Sequence, residues 1–167
     1  LGTDLSKIVN ELDKLTLNLP QGTEISEKDI EENIGISKDY NVFELQRALG
    51  TRDVLRANRI VQYFAANPKN NPLPMVIGSL FNFFSKLYML QFLRNAPEKE
   101  VLAALKLRSA YFLREYRTAA TNFSRDKTEE VIGLLREYDL KSKGVDYVAT
   151  GKDDSELLKE MVWRILH

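Results

Sequence analysis

The apolar segment 73–95 constrains the fold more than any other part of this sequence. Its large side chains fall on every side of a helix: Leu80, Phe81, Phe83, Phe84, Leu87, Tyr88, Leu90, Phe92 and Leu93. A helix that is apolar all round needs other elements to cover it. Lys86, near its centre, would be costly inside a lipid bilayer. We therefore predict a central helix surrounded by other helices, with no membrane as a partner.

The sequence pattern predicts amphipathic helices separated by turns in the rest of the chain. Apolar residues recur at helical spacing over 2–17, 26–34, 42–49, 53–67, 98–106, 110–122, 124–143 and 153–167. Gly and Pro punctuate the segments, as at Gly50, Pro68, Pro72 and Gly144. No convincing strand pair is present. The sequence predicts an all-α protein, a helical bundle, with a domain boundary near residue 40 where the polar stretch 36–41 reads as a loop.

Each helix is expected to bury one stripe of apolar side chains and to start at a polar cap. Thr51 or Asp53, then Ser124, are the predicted caps of two helices, and Gly50 is predicted to end the helix before it. The predicted inward residues include Phe43, Leu45, Leu49, Leu55, Ile60, Val61, Phe64, Val101, Leu102, Leu105, Val131, Leu134, Leu135, Tyr138, Leu157, Leu158, Met161, Val162, Ile165 and Leu166.

Composition argues against most kinds of catalytic chemistry. The chain has no cysteine, and its single histidine is the last residue, His167. Thiolate sites, Ser-His-Asp triads and multi-histidine metal sites therefore lack their residues. The phosphate-binding sequence G-x-x-x-x-G-K-[ST] is absent, and so is E-x-x-H. We predict no catalytic residue, no cofactor, no metal and no enzymatic activity in these 167 residues.

The segment 98–122 offers a DNA-binding alternative. Two short helices flank the turn 106–108, as in a helix-turn-helix. Arg114 and Arg117 would project from the second helix towards bases, and Lys106 and Arg108 would meet phosphates. Against this, aromatic residues occupy much of the second helix, the turn lacks glycine, and 24 basic residues balance 24 acidic ones. An ordinary helical hairpin is the favoured interpretation.

A second candidate for DNA contact lies near the end of the chain. Lys141, Lys143 and Lys152 surround Tyr147 in sequence. An exposed aromatic ring beside lysines can stack on a base while the cations meet phosphates. A solvated loop whose tyrosine packs on its neighbours explains the same residues, and we favour it.

Several segments together resemble the delta-subunit family of the bacterial DNA polymerase III clamp loader, which belongs to the AAA+ superfamily. They share the family's order along the whole chain: 2–17, 41–49, 53–61, 109–113, 119–124 and 138–144. The resemblance implies that residues 1–40 are the remainder of the AAA+ lid and that 41–167 are the C-terminal collar domain. It also implies a piece of a longer protein, because the AAA+ module is missing.

The resemblance implies a structural function. Collar domains of this family hold the five-membered clamp-loader ring together, and the delta type does not hydrolyse ATP. The implied partners are the other clamp-loader subunits, primer-template DNA in the assembled complex, and the sliding clamp only through the missing N-terminal module. The implied setting is cytoplasmic DNA replication by a DNA-directed DNA polymerase. The sequence also predicts an apolar patch left exposed for these neighbours.

Overall fold

A computed structural model of the chain describes residues 40–145 and 154–167, together with Val9 and Asp13. The chain divides into two compact units, Leu1–Tyr40 and Asn41–His167. The predicted helices at 2–17 and 26–34 lie, except for Val9 and Asp13, outside the described residues. Nearly all the described residues belong to the second unit.

The described residues of the second unit form seven α-helices and no strand, which confirms the predicted all-α class. They are α1 Val42–Gly50, α2 Val54–Ala66, α3 Leu73–Phe92, α4 Glu98–Ala104, α5 Ala110–Asn122, α6 Arg125–Ser142 and α7 Asp154–Leu166.

Helix α3 is the centre of the bundle. It packs against α6, α5, α1 and α7, and its buried residues include Leu80, Phe83, Phe84 and Leu87. The rings of Phe84 and Phe123 meet edge to face with centroids 5.3 Å apart. Around this centre, α2 packs on α7 and α1, α6 packs on α7, and α4 contacts α5. The four neighbours of α3 account for the strong apolar character of its sequence.

Helix α3 is not covered on all sides, contrary to the prediction. Phe81 is 47% exposed and Phe92 is 61% exposed, and Met75 and Met89 are also exposed. These side chains lie where no described helix covers α3. By length and composition α3 would be long and apolar enough to cross a membrane. A helix at the core of a bundle meets the same criteria, and α3 packs against four helices.

The core prediction was wrong for two further aromatic or aliphatic residues. Phe43 is 72% exposed and Leu55 is 63% exposed. Each lies away from the buried residues of its helix, which are Leu45 and Leu49 in α1 and Ile60 and Phe64 in α2. Leu102 and Leu134 are only half-buried, whereas all six predicted residues of α7 are buried.

Polar caps start three of the helices. The Asn41 side chain accepts hydrogen bonds from the amides of Phe43 and Glu44. Asp53 accepts from the Arg56 amide at 3.0 Å, and Ser124 accepts from the Lys127 amide at 3.1 Å. Ser124 was predicted as a cap, and Asp53 is the one of the two predicted alternatives, Thr51 or Asp53, that caps α2. Such short side chains satisfy amides that have no partner within the helix.

Helix α1 ends at Gly50, as predicted, but Gly50 does not take the left-handed conformation that favours glycine at helix ends. A Cβ atom at Gly50 would lie 3.1 Å from the Cβ of Ala119 and 3.4 Å from the ring of Phe83. The left-handed conformation that follows α1 is taken instead by Arg52, with φ 54°. Asn122 also donates to the Gly50 carbonyl at 2.9 Å. Gly50 therefore permits the close approach of α1 and α5.

Gln91 joins three elements from inside the core. Its Nε2 donates to the Phe123 carbonyl at 2.9 Å and to the Thr128 hydroxyl at 3.1 Å. The Thr128 hydroxyl in turn donates to the Ser124 carbonyl. One buried amide thus connects α3 to the α5–α6 junction, the short connection between these two helices.

We predict that Gly50→Ala lowers the free energy of unfolding by about 1 kcal/mol, because overpacking against Ala119 outweighs the better helix propensity of alanine. Gly78→Ala is the control. No atom lies within 4 Å of a Cβ built there, so that variant should be as stable as the parent or up to about 1 kcal/mol more stable. Urea unfolding measures both, and equal effects would contradict the packing argument.

We predict that Gln91→Leu lowers the free energy of unfolding by about 2 kcal/mol, since it leaves a buried carbonyl without its donor. Gln62→Leu, at an exposed position of α2, should change it by less than about 0.5 kcal/mol. Thermal or urea unfolding of the two variants compares them directly. A Gln91→Leu protein as stable as the parent would refute the structural importance of this junction.

Candidate interaction surfaces

The four residues of the helix-turn-helix interpretation lie on one edge of the bundle, at α4 and α5. Lys106 and Arg108 are exposed in the connection between these helices, and Lys106 adopts a left-handed φ of 52°. Arg114 is exposed and has no ion-pair partner in the described part of the chain. Arg117 is 3.4 Å from Glu98 of α4. The structure thus places all four on the surface, with one of them facing an acid.

Two aromatic residues beside these cations are exposed rather than buried. Tyr111 is 60% exposed and Phe112 is 45% exposed, and their rings contact each other edge to face. Leu113 and Tyr116 are residues of α5 that enter the core. Burial raises the pKa of Tyr116 to about 12. Only part of α5 is therefore committed to packing, and its first turn presents aromatic surface.

Acidic residues neutralise the charge next to this aromatic surface. Arg47 of α1 pairs with Glu115 of α5 at 2.6 Å and with Glu44 at 3.1 Å, and Glu44 pairs with Arg56 at 2.7 Å. The hydrogen bond that Arg47 donates to Glu115 raises the pKa of Arg47. A cavity of about 330 Å³ opens beside Arg47 and Tyr111. Because Glu44 and Glu115 balance Arg47 and Arg56, these four residues add no net positive charge for a phosphate backbone.

The two described lysines of the second DNA-contact candidate are also paired. Lys141 binds Glu137 at 2.7 Å and Lys143 binds Asp139 at 2.6 Å, each one turn back along α6. The Lys141 ammonium lies 4.7 Å from the centre of the Tyr138 ring. Tyr147 and Lys152 lie outside the described residues. Only half of this candidate site can therefore be placed, and its two lysines already have acidic partners.

Glu137 forms ion pairs with one residue of α6 and one residue of α7. It binds Lys141 on its own helix and Arg164 of α7 at 3.0 Å. Hydrogen bonds from Lys141 and then Arg164 lower the pKa of the Glu137 carboxyl. Burial raises the pKa of the neighbouring Tyr138 to about 12. The Glu137–Arg164 pair adds an ionic contact between α6 and α7.

Sequence reasoning did not locate a groove between α3 and α6. Its cavity measures about 600 Å³ and is lined mainly by apolar atoms of Ile77, Gly78, Phe81, Ile132, Gly133 and Leu135, with Glu129, Arg136 and Asp139 at its edge. The two glycines leave it open, because a Cβ built on either one meets no atom within 4 Å. The surplus of large apolar residues in 73–95 was the sequence signal for such a surface.

Clusters of metal-ligating side chains are absent from the described part of the chain. Residues 40–145 and 154–167 contain no group of three or more His, Cys, Asp or Glu side chains arranged to hold a metal ion. His167 stacks on Trp163 with ring centroids 4.8 Å apart. The described part of the molecule offers apolar and balanced ionic surfaces, which suit binding to another macromolecule.

Comparisons with known proteins bear on the fold. No protein-family model and no curated protein matches this chain. Among solved structures, the DNA clamp loader delta protein (YqeN) of Bacillus subtilis is similar, with a TM-score of 0.60 and 22% sequence identity over 97% of this chain. The chain has a clamp-loader delta-like fold. It spans 46% of the length of that protein.

We predict that Glu137→Gln lowers the free energy of unfolding at about pH 7 by roughly 0.5–1 kcal/mol, since partly exposed ion pairs contribute little each. The folded state lowers the pKa of this carboxyl. Its contribution is therefore complete above the ordinary value of 4.5 and is lost as the pH falls below it. Urea unfolding of parent and variant at several pH values should show the two curves converging in acid.

Glu130→Gln is the matched control for that experiment. Glu130 is 69% exposed and faces Lys127 at 3.5 Å, so its loss should change the free energy of unfolding by less than about 0.5 kcal/mol. An equal loss in both variants, or a Glu137→Gln difference that persists in acid, would contradict the assigned ion pairs of Glu137.

Proposed function

We propose that this chain is a structural part of a clamp-loader complex, corresponding to the delta type. Residues 41–167 would be its collar and residues 1–40 the remainder of its lid. The observation that carries the proposal is the similarity of almost the whole chain to a DNA clamp loader delta protein. The order of delta-like segments in the sequence supports the same assignment. The function proposed is to hold neighbouring subunits in a ring during DNA replication, in the cytoplasm and without catalysis by these residues.

The surface chemistry of the second unit supports an assembly function. Exposed large apolar side chains occur on several helices, among them Phe43, Leu55, Phe92, Tyr111 and Trp163. Their exposure agrees with the prediction of apolar surface left for neighbours. Interfaces between subunits are enriched in such aromatic residues, while charged residues gather at the rim. A bundle of helices can bury one side of each helix and offer the other to a partner.

DNA contact is proposed only within the assembled complex. Lys141, Lys143, Tyr147 and Lys152 are the proposed contacts with primer-template DNA. The ion pairs of Lys141 and Lys143 with α6 carboxylates would have to rearrange or be shared with a phosphate. Such contacts add to a complex that protein interfaces already hold, and they would be weak in the isolated chain.

The helix-turn-helix alternative rests on Arg114, which is exposed and unpaired among the described residues, together with Lys106 and Arg108. The acids around Arg47 and Arg117 weigh against it, because independent duplex binding needs a net positive face. We therefore rank autonomous DNA binding below assembly.

We predict that the chain co-purifies with the other clamp-loader subunits of its own source when they are co-expressed. Phe43→Ser with Tyr111→Ser should weaken that association if the α1–α5 edge lies in an interface, and both positions are exposed enough to leave the fold intact. Gel filtration with mass measurement reports the complexes. No association with any clamp-loader subunit would refute the assembly proposal.

A titration of the isolated chain with duplex and primer-template DNA distinguishes the alternative. We expect no tight binding to either DNA at about 0.15 M salt. Sequence-dependent duplex binding that disappears in Arg114→Ala with Arg117→Ala would instead support the helix-turn-helix function. Lys69→Ala with Lys159→Ala, at exposed sites outside segment 98–122, controls for the loss of positive charge.

A further inference from the structure

Helices α1 and α5 run parallel to each other and form a groove on the surface of the bundle. Arg47 of α1 binds Glu115 of α5 at 2.6 Å. Farther along both helices, a Cβ atom built at Gly50 lies 3.1 Å from the Cβ of Ala119. Residue numbers therefore rise in the same direction along the two helices, and the first turn of α1 lies beside the first turn of α5.

Two aromatic side chains form the end of the groove where both helices begin. Phe43 lies one turn before Arg47 on the same side of α1. Tyr111 lies one turn before Glu115 on the same side of α5. Phe43 is 72% exposed and Tyr111 is 60% exposed. This end of the groove is therefore an apolar surface that a partner can bury.

A cavity of about 330 Å³ forms the middle of the groove. The buried ring of Phe83 and the buried Gly50 contribute to its lining from below, and the exposed Thr118 lines it on α5. The volume is close to the lower limit for small-molecule pockets, which is about 300 Å³. The cavity therefore suits one apolar side chain of a larger partner better than it suits a metabolite.

Arg114 gives the groove an uncompensated positive charge. It lines the cavity one turn after Tyr111, it is exposed, and it has no ion-pair partner in the part of the chain that the structure describes. The other cation of the cavity, Arg47, is bound to Glu115 and Glu44. A guanidinium group is a planar donor that matches a carboxylate or a phosphate. The groove therefore favours a partner that brings one anionic group together with apolar side chains.

The order of these features matches one face of an amphipathic helix. Tyr111, Arg114 and Thr118 follow one another along α5 within about two turns. A helix packed along the groove presents residues i, i+3 or i+4, and i+7 to the same three places. A protein helix can carry an apolar, an acidic and a second apolar side chain at that spacing. Duplex DNA would instead bring its phosphates against two aromatic rings and an apolar cavity.

We propose that the α1–α5 groove binds an amphipathic helix of another clamp-loader subunit, with an Asp or Glu of that helix on Arg114. One apolar side chain of the helix packs on Phe43 and Tyr111, and another enters the cavity over Phe83. The inference rests on the proposed function, because that function supplies the class of partner. It adds the site on this chain and the chemistry of the segment that the site binds.

Binding of the full chain to each purified clamp-loader subunit of its own source, measured by biolayer interferometry, tests the ion pair. Arg114→Glu should weaken the binding about tenfold or more, because two carboxylates then face each other. Lys159→Glu, at an exposed position of α7, makes the same change of charge outside the groove and should bind as the parent does. Thermal unfolding followed by circular dichroism verifies that both variants fold.

Filling the cavity tests the apolar contact separately. Thr118→Trp should weaken the binding about tenfold or more, because the new ring occupies the place of the partner's buried side chain. Thr121→Trp is the matched control, since Thr121 is exposed on the same helix and does not line the cavity. The control should bind as the parent does.

A cross-link identifies the partner segment. The photoreactive residue p-benzoylphenylalanine, placed at position 111 in the complex, should attach to a helix that carries an Asp or Glu three or four residues from the linked position. Changing that acid to Arg in the partner should restore binding to the Arg114→Glu variant, because opposite charges again face each other.

Parent-like binding by Arg114→Glu or by Thr118→Trp would overturn the groove proposal and leave the assembly function standing. A cross-linked segment without an acid, or no recovery with the charge-exchanged partner, would do the same. Arg114→Glu might lose DNA binding and keep its subunits, and this result would assign the groove to phosphate and reject the helix. A chain that joins no clamp-loader subunit would refute both the assembly function and the groove proposal.

Discussion

Burial of one face of α3 is the interaction on which the rest of the bundle depends. Its side chains meet four other helices, and the aromatic contacts of Phe83 with Tyr116 and of Phe84 with Phe123 bring α5 against it. Each fully buried aromatic or leucine side chain contributes on the order of 2 kcal/mol. Two further contacts, Gly50 against Ala119 and Gln91 with the α5–α6 junction, both serve to bring neighbouring helices close to this centre.

Most of the ion pairs on the second unit place a cation between carboxylates or a carboxylate between cations. Glu44, Arg47, Arg56 and Glu115 form a chain of pairs between α1, α2 and α5, and Glu137 gathers Lys141 and Arg164 between α6 and α7. Such pairs join helices that the apolar core has already brought together. They also explain why cations that look available in the sequence offer little positive potential. The exposed apolar side chains are therefore more informative about binding surfaces than the cations are.

The sequence predicted the helices far better than it predicted their outward faces. The cap Ser124 was predicted, and the cap of α2 was narrowed to Thr51 or Asp53, because capping depends on a short polar side chain just before an apolar repeat. Phe43 and Leu55 were expected in the core and are exposed, since the sequence shows a large apolar residue without showing whether its own bundle or another molecule covers it. Gly50 was placed at a helix end for a local reason, whereas its actual constraint is a contact with a residue far along the chain.

The sequence by itself determined the all-α class, the approximate limits of the described helices and the shortage of catalytic residue types, because periodicity, caps and composition act within a few residues. Only the tertiary structure decided which face of α3 stays uncovered, that Arg47 pairs with Glu115 and Arg164 with Glu137, and that Gly78 and Gly133 line one groove. Several of those properties arise from residues distant in sequence. Their distances are set by how whole helices pack, and no local pattern encodes them.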